Sequence, residues 1–86
     1  MSNFNFSVLT LSGTIFEGDV NKVIVTTSEG EITILKNHIP LITTTNNGRL
    51  IIFKEDQKLE YIANTGVLKI NKEKVILMSD KIQKLE

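Results

Sequence analysis

Branching at Cβ dominates this chain. Twelve Ile, six Val and nine Thr make up nearly a third of its 86 residues, against a single Ala. Such side chains lose χ1 freedom in a helix and pack well on a pleated sheet, so an extended backbone is expected almost throughout. Turn residues recur at close intervals: Ser12-Gly13, Gly18-Asp19, Glu29-Gly30, Asn37-His38, Asn46-Asn47-Gly48, Glu55-Asp56, Thr65-Gly66 and Asn71-Lys72. Short apolar runs between such signals fit a sandwich or barrel rather than βαβ units.

Within the runs, polarity mostly alternates. Ile32 and Ile34 face away from Glu31 and Thr33, and Leu59, Tyr61 and Ala63 away from Lys58, Glu60 and Ile62. Phe4, Phe6 and Val8 share a face until Leu9 and Leu11 switch parity, which marks either a bulge or a strand covered on both sides. Strands are expected near 4–11, 14–17, 20–27, 31–35, 41–45, 49–54, 58–64, 67–70 and 74–78. Ile82 and Leu85, three apart in the tail, mark where a helix would begin, although seven residues cannot hold one alone. The expectation is a single all-β domain over 1–86, a flattened sandwich or barrel of about nine to ten short strands with no C-terminal helical domain.

Composition narrows the function classes. Ten basic and ten acidic residues leave no formal net charge, whereas a nucleic-acid binder normally carries a basic surplus to neutralise phosphates. There is no Cys, hence no disulfide framework or thiolate zinc site, and a reducing intracellular compartment is the better expectation. The longest apolar runs, Val23-Ile24-Val25 and Leu50-Ile51-Ile52-Phe53, fall far short of the ~20 residues that cross a bilayer. Residues 1–5 carry neither the basic nor the apolar part of a signal peptide.

Catalytic inventory is thin. His38 is the sole histidine, so a nitrogen-ligated metal site lacks donors. A triad of Ser28, His38 and Asp19 has no strained nucleophile turn to support it. Glu29 and Glu31 alternate onto one face of a strand, where paired carboxylates serve acid–base chemistry, but two solvated charges at a turn account for them as well. The five aromatics, Phe4, Phe6, Phe16, Phe53 and Tyr61, mostly sit beside other apolar residues at core positions, which weakens a stacking platform for nucleic acid or sugar. The cluster Lys69, Lys72, Lys74 is interrupted by Glu73 and reads as a solvated hairpin tip. The segment holding both the lone histidine and the lone proline, His38-Ile39-Pro40-Leu41-Ile42, reads either as a sandwich corner or as an apolar docking edge.

At these residues the chain resembles the N-terminal domain of the epsilon subunit of F-type ATP synthase. The family's Gly-Glu-Leu-Gly-Ile-Leu, Pro-Gly-His-x-Pro-Leu and Ser-Gly-Gly motifs correspond to Gly30-Glu31-Ile32-Thr33-Ile34-Leu35, Lys36-Asn37-His38-Ile39-Pro40-Leu41 and Asn64-Thr65-Gly66 before Val67-Leu68. Gly48 ahead of Leu50, Phe16-Glu17-Gly18-Asp19-Val20 and the closing Asn71-Lys72-Glu73-Lys74-Val75-Ile76-Leu77 also fit, so the likeness covers nearly all of the chain. Thr33 stands where a glycine is usual, Lys36-Asn37 replaces Pro-Gly, and Thr65 takes one place of the double glycine. The chain resembles either the short form of the family that lacks the helical hairpin or a longer member cut short of it, so neither a built-in brake nor a nucleotide site is expected.

The resemblance implies a non-catalytic central-stalk subunit, without a cofactor, that couples proton-driven rotation of the c-ring to the gamma subunit and ATP synthesis. It implies a gamma contact through Thr10, His38, Ile39, Pro40, Leu41, Ile42 and Thr43, and a c-ring contact through Ser28, Glu29, Gly30 and Glu31. Its partners would be the gamma subunit and the c-ring, not nucleic acid, and it would not insert into the bilayer itself. Its place would be peripheral, at the cytoplasmic face of a bacterial inner membrane or the equivalent energy-transducing membrane. The competing reading is a free-standing sandwich that binds a peptide or carbohydrate in an aromatic groove.

Overall fold

The structure, a computed structural model, describes residues 3–85. Nine strands follow in chain order: β1 (Phe4–Thr10), β2 (Gly13–Val20), β3 (Lys22–Thr27), β4 (Gly30–Ile34), β5 (Leu41–Lys54), β6 (Gln57–Ala63), β7 (Gly66–Ile70), β8 (Lys74–Ser79) and β9 (Ile82–Lys84). Neighbouring strands pair antiparallel except β1 and β8, which run parallel. The all-β expectation holds. No helix among the described residues is long and apolar enough to cross a membrane.

The fourteen-residue β5 organises the rest. Its first part, Leu41–Thr45, pairs with β7, and its second, Gly48–Lys54, pairs with β6. Along its other edge it pairs with β3, whose register slips between Val25 and Thr27 while β5 advances from Leu50 to Thr45. Two wings result: β2-β1-β8-β7 leading to the start of β5, and β4-β3 with the end of β5, β6 and β9. Their inner faces meet in one core. Phe6, Val8, Leu68, Ile70, Val75 and Leu77 from the first wing pack with Val23, Val25, Ile34, Leu50, Ile52, Tyr61 and Ala63 from the second. Fully burying each large aliphatic or aromatic side chain contributes roughly 1.5–3 kcal/mol, which is how a chain this short holds together.

Three expectations give way. Strands at 41–45 and 49–54 are one strand, because Asn46-Asn47-Gly48 is absorbed as a ladder irregularity opposite Thr26 rather than reversing the chain. Strands expected at 14–17 and 20–27 divide instead at Asn21. Gly18 and Asp19 stay in register with Phe6 and Asn5, and the corner is fixed by Asn21 N–H donating to Phe53 O at 2.8 Å. The tail is strand β9 instead of a helical start: Ile82 pairs with Ala63, and Leu85 N–H donates to Glu60 O at 2.9 Å. The parity switch at Leu9 does coincide with a bulge, in which Val8 faces Phe16 and Leu9 faces Thr14, leaving Ile15 of β2 as the extra residue.

Two glycines are required by close approach. A Cβ on Gly48 would lie 2.7 Å from the Thr26 Cβ, where β5 crosses the slip in β3. A Cβ on Gly66 would lie 2.0 Å from the Met78 carbonyl oxygen. Ser79 Oγ fastens the same turn, with the Asn64 and Lys81 carbonyls at 3.2 and 3.1 Å. Gly66→Ala must therefore push β7 off β8, and we expect a loss of at least about 1–3 kcal/mol in urea unfolding. An unchanged midpoint would show that β7 has room the packing does not reveal.

Candidate functional site

The β3–β4 hairpin carries Ser28, Glu29, Gly30 and Glu31. Glu29 lies in the turn and only Glu31 in the strand, so the two carboxylates do not share a strand face as the alternation had implied. Thr27 Oγ1 donates to the Gly30 carbonyl at 2.7 Å and accepts from Glu29 N–H at 3.1 Å. Ser28 N–H and Oγ both donate to the Thr44 carbonyl, at 3.0 and 3.2 Å, and Ser28 Oγ also meets Thr44 Oγ1. The tip is thereby bolted to β5. Ser28, Glu29, Gly30 and Glu31 are all exposed, so this end of the sandwich presents stiff, polar, acidic chemistry.

Between β4 and β5, His38 N–H donates to Leu35 O at 3.1 Å, closing a turn in which Asn37 adopts φ 69°. Asn tolerates this left-handed conformation at the third turn position, which explains how Lys36-Asn37 stands in for Pro-Gly. His38 Nδ1 lies 2.8 Å from the Ile39 carbonyl. Since a carbonyl only accepts, Nδ1 carries the proton and donates. Ile39 is 73% exposed and Ile42 68% exposed, with Pro40 exposed between Ile39 and Leu41. Leu41 instead packs against the core, and Thr43 follows it on the inward side of β5.

Thr10 is not brought to this segment. It closes the β1–β2 turn, its Oγ1 donating to Gly13 O at 3.2 Å and accepting from Ser12 N–H at 3.1 Å. β8 and β7 stand between β1 and β5, which separates them by roughly 14 Å at normal strand spacing. What joins Thr10 to Ile42 is the outward face of the first wing. Register aligns Ile42 with Lys69, Ile76 and Ser7 in one row, and Thr44 with Val67, Met78 and Leu9 in the next. Beyond Leu9, Leu11 is 95% exposed. Leu9, Thr10, Leu11, Val67 and Met78 line a groove of about 430 Å³.

Leu9, Leu11, Val67, Ile76 and Met78 of this outward surface were not among the contact residues expected from the sequence. Their signal was present in Val75-Ile76-Leu77-Met78, apolar at both parities, a pattern that asks for cover on both faces of a sheet. The other wing differs. Its outward Ile51 is only 7% exposed, and Lys22 Nζ sits 4.4 Å over the Phe53 ring.

For the triad, Ser28 Oγ and His38 Nδ1 spend their hydrogen bonds on Thr44 and Ile39, not on each other. Asp19 does line a shallow pocket of about 210 Å³ with His38. Burial pushes the Tyr61 hydroxyl above its ordinary value of 10.0, but Tyr61 belongs to the core. The outward groove of the first wing is lined without an aromatic, unlike the surface a sugar- or peptide-binding module would offer.

The molecule is a β-sandwich domain with a polar end tied down by Thr27 and Ser28 and an outward face that exposes Leu11, Ile42, Val67 and Met78. Residues 3–84 match the model of the ATP synthase delta/epsilon chain β-sandwich domain, and the chain belongs to that family. It is 55% identical over 40 residues to the ATP synthase epsilon chain of Caldanaerobacter subterraneus subsp. tengcongensis, a stretch that is 46% of this chain and 29% of the relative. It is 48% identical over 42 residues to that of Alkalihalophilus pseudofirmus, 49% of this chain and 32% of the relative. The matches therefore span about a third of each relative's length. A chain of the Euglena gracilis mitochondrial ATP synthase superposes with a TM-score of 0.90 at 18% identity, over 98% of this chain and 54% of that one. A chain of the Tetrahymena thermophila central stalk and c-ring superposes at 0.79 with 9% identity, over 94% of this chain and 66% of that one. At such identities the likeness is one of fold.

Asn37 gives a local test of the turn that presents Ile39 and Ile42. Asn37→Gly should leave stability unchanged or slightly raised, whereas Asn37→Val should cost about 1–2 kcal/mol in urea unfolding. Equal stability of the two variants would mean that this turn does not constrain the segment.

Proposed function

We propose that the chain is a non-catalytic coupling subunit of the central stalk of a rotary ATP synthase. It binds a gamma-type shaft through the outward face of the β1-β8-β7-β5 wing together with His38–Thr43, and rests its Ser28–Glu31 end on the polar loops of the c-ring. It is a peripheral part of the membrane-bound enzyme, at the cytoplasmic face in a bacterium, and transmits rotation driven by proton flow without chemistry of its own. The observation that carries this reading is the outward apolar groove of Leu9, Leu11, Val67 and Met78, with exposed Ile42 one row away beyond Thr44 and Lys69, on a domain of this family.

The load decides which contacts matter. Each proton crossing ~100–200 mV delivers about 2.3–4.6 kcal/mol. One exposed ion pair at Glu31, worth roughly 0.2–1 kcal/mol, does not resist that alone. The grip must come from an apolar seam, above ~1,000 Å² in total for a stable interface. Ile39 and Ile42 are the free anchors of the segment, whereas Leu41 is committed inward and its loss would act on folding first.

The test is binding of the purified chain to its co-expressed gamma partner. Ile42→Asp should weaken the complex by at least about tenfold without lowering thermal stability, since Ile42 faces solvent in the free chain. Glu31→Ala should weaken gamma binding by less than about fivefold. Undiminished binding by Ile42→Asp would remove this face from the proposal.

A further inference from the structure

We propose that Met78 is an oxidation-sensitive site: converting its thioether to the sulfoxide disables the outward face of the first wing for docking. The inference rests on the reading of that face as the shaft-binding surface. Met78 pairs with Leu9 on one side and Val67 on the other, at the middle of the uncovered row. It is 44% exposed and lines the groove with Leu9, Leu11 and Val67. The chain has no Cys and only one other Met, at position 1, so Met78 is the one sulfur among the described residues.

The oxidant is a peroxide. A sulfur lone pair attacks one peroxide oxygen, an S–O bond forms as the O–O bond breaks, and water leaves; sulfur loses two electrons and the peroxide gains them. The product is polar and chiral where the thioether was soft and apolar. In the free subunit the new oxygen faces water. In the docked state it lies against the apolar Leu9, Leu11 and Val67, where the lining hydroxyls of Thr10 and Ser79 already donate to Gly13 O and to the Asn64 and Lys81 carbonyls. Lys69, diagonal to Met78 on the outward face, is the one cation among the described residues near enough to compete. The penalty for an unpaired polar atom therefore falls on the docked state alone. By the same geometry docking shields the sulfur, so oxidation acts on subunits that have not yet assembled and keeps them out until a sulfoxide reductase restores them.

The experiment treats the intact chain with hydrogen peroxide, free and in complex with its gamma partner, and follows Met78 by peptide mass spectrometry. Met78 should oxidise at least about tenfold more slowly in the complex. The pre-oxidised chain should bind gamma at least about tenfold more weakly, and reductase treatment should restore binding. Met78→Leu should bind equally before and after peroxide treatment, while Met78→Gln should bind at least about tenfold more weakly than the untreated chain. Equal oxidation rates in free and bound chain, or full-strength binding by the oxidised chain, overturn the proposal. If oxidised chain binds normally while Ile42→Asp does not, the Met78 site fails and the docking face survives. If both bind normally, the face itself is misplaced and both readings fall.

Discussion

One strand belongs to both halves of this molecule. β5 gives its first residues to β7 and its last to β6, so the sheet must fold over where the partner changes. The fold-over is fixed by Asn46–Arg49 passing the single residue Thr26 and by the absence of a side chain on Gly48. Everything else follows from that corner: a core closed between the wings, the bolted hairpin tip at one end, and two outward faces with different chemistry.

Those faces divide the work. The second wing keeps its outward Ile51 covered and lays Lys22 over Phe53. The first leaves Leu11, Ile42, Val67 and Met78 to solvent, an arrangement that makes sense when a neighbour supplies the cover. In the proposed role the domain carries torque and should deform little under load. Cross-strand ladders, a close-packed core and a tip held by Thr27 and Ser28 leave few soft modes between the acidic end and the apolar face.

Much of the fold was legible because β-branched residues and alternating polarity report directly on a pleated, half-buried chain. Ile32, Ile34, Leu59, Tyr61 and Ala63 take the inward positions that alternation assigned them, Ile32 and Leu59 half-buried against the core. What alternation does not encode is where the sheet bends. Asn46-Asn47-Gly48 carries the chemistry of a turn, yet a long strand uses it to change partners. Ile82 looked helical by spacing, yet three residues gain more by extending β6 than by starting an isolated helix. The proposed docking surface was half legible. His38–Thr43 stood out as a local segment, whereas Leu9 joins Val67, Ile76 and Met78 only through the parallel β1–β8 pairing, a long-range contact.

The central claim is that the first wing's outward face meets the shaft while the second wing's does not. Lys69 sits in the outward row beside Ile42 and Ile76, and Lys58 lies exposed on the outward side of β6. Brief acylation of the free chain and of its complex with the gamma partner, read by peptide mass spectrometry, compares the two amines directly. The account predicts that assembly protects Lys69 and leaves Lys58 reactive; protection of Lys58 with Lys69 still reactive would contradict it.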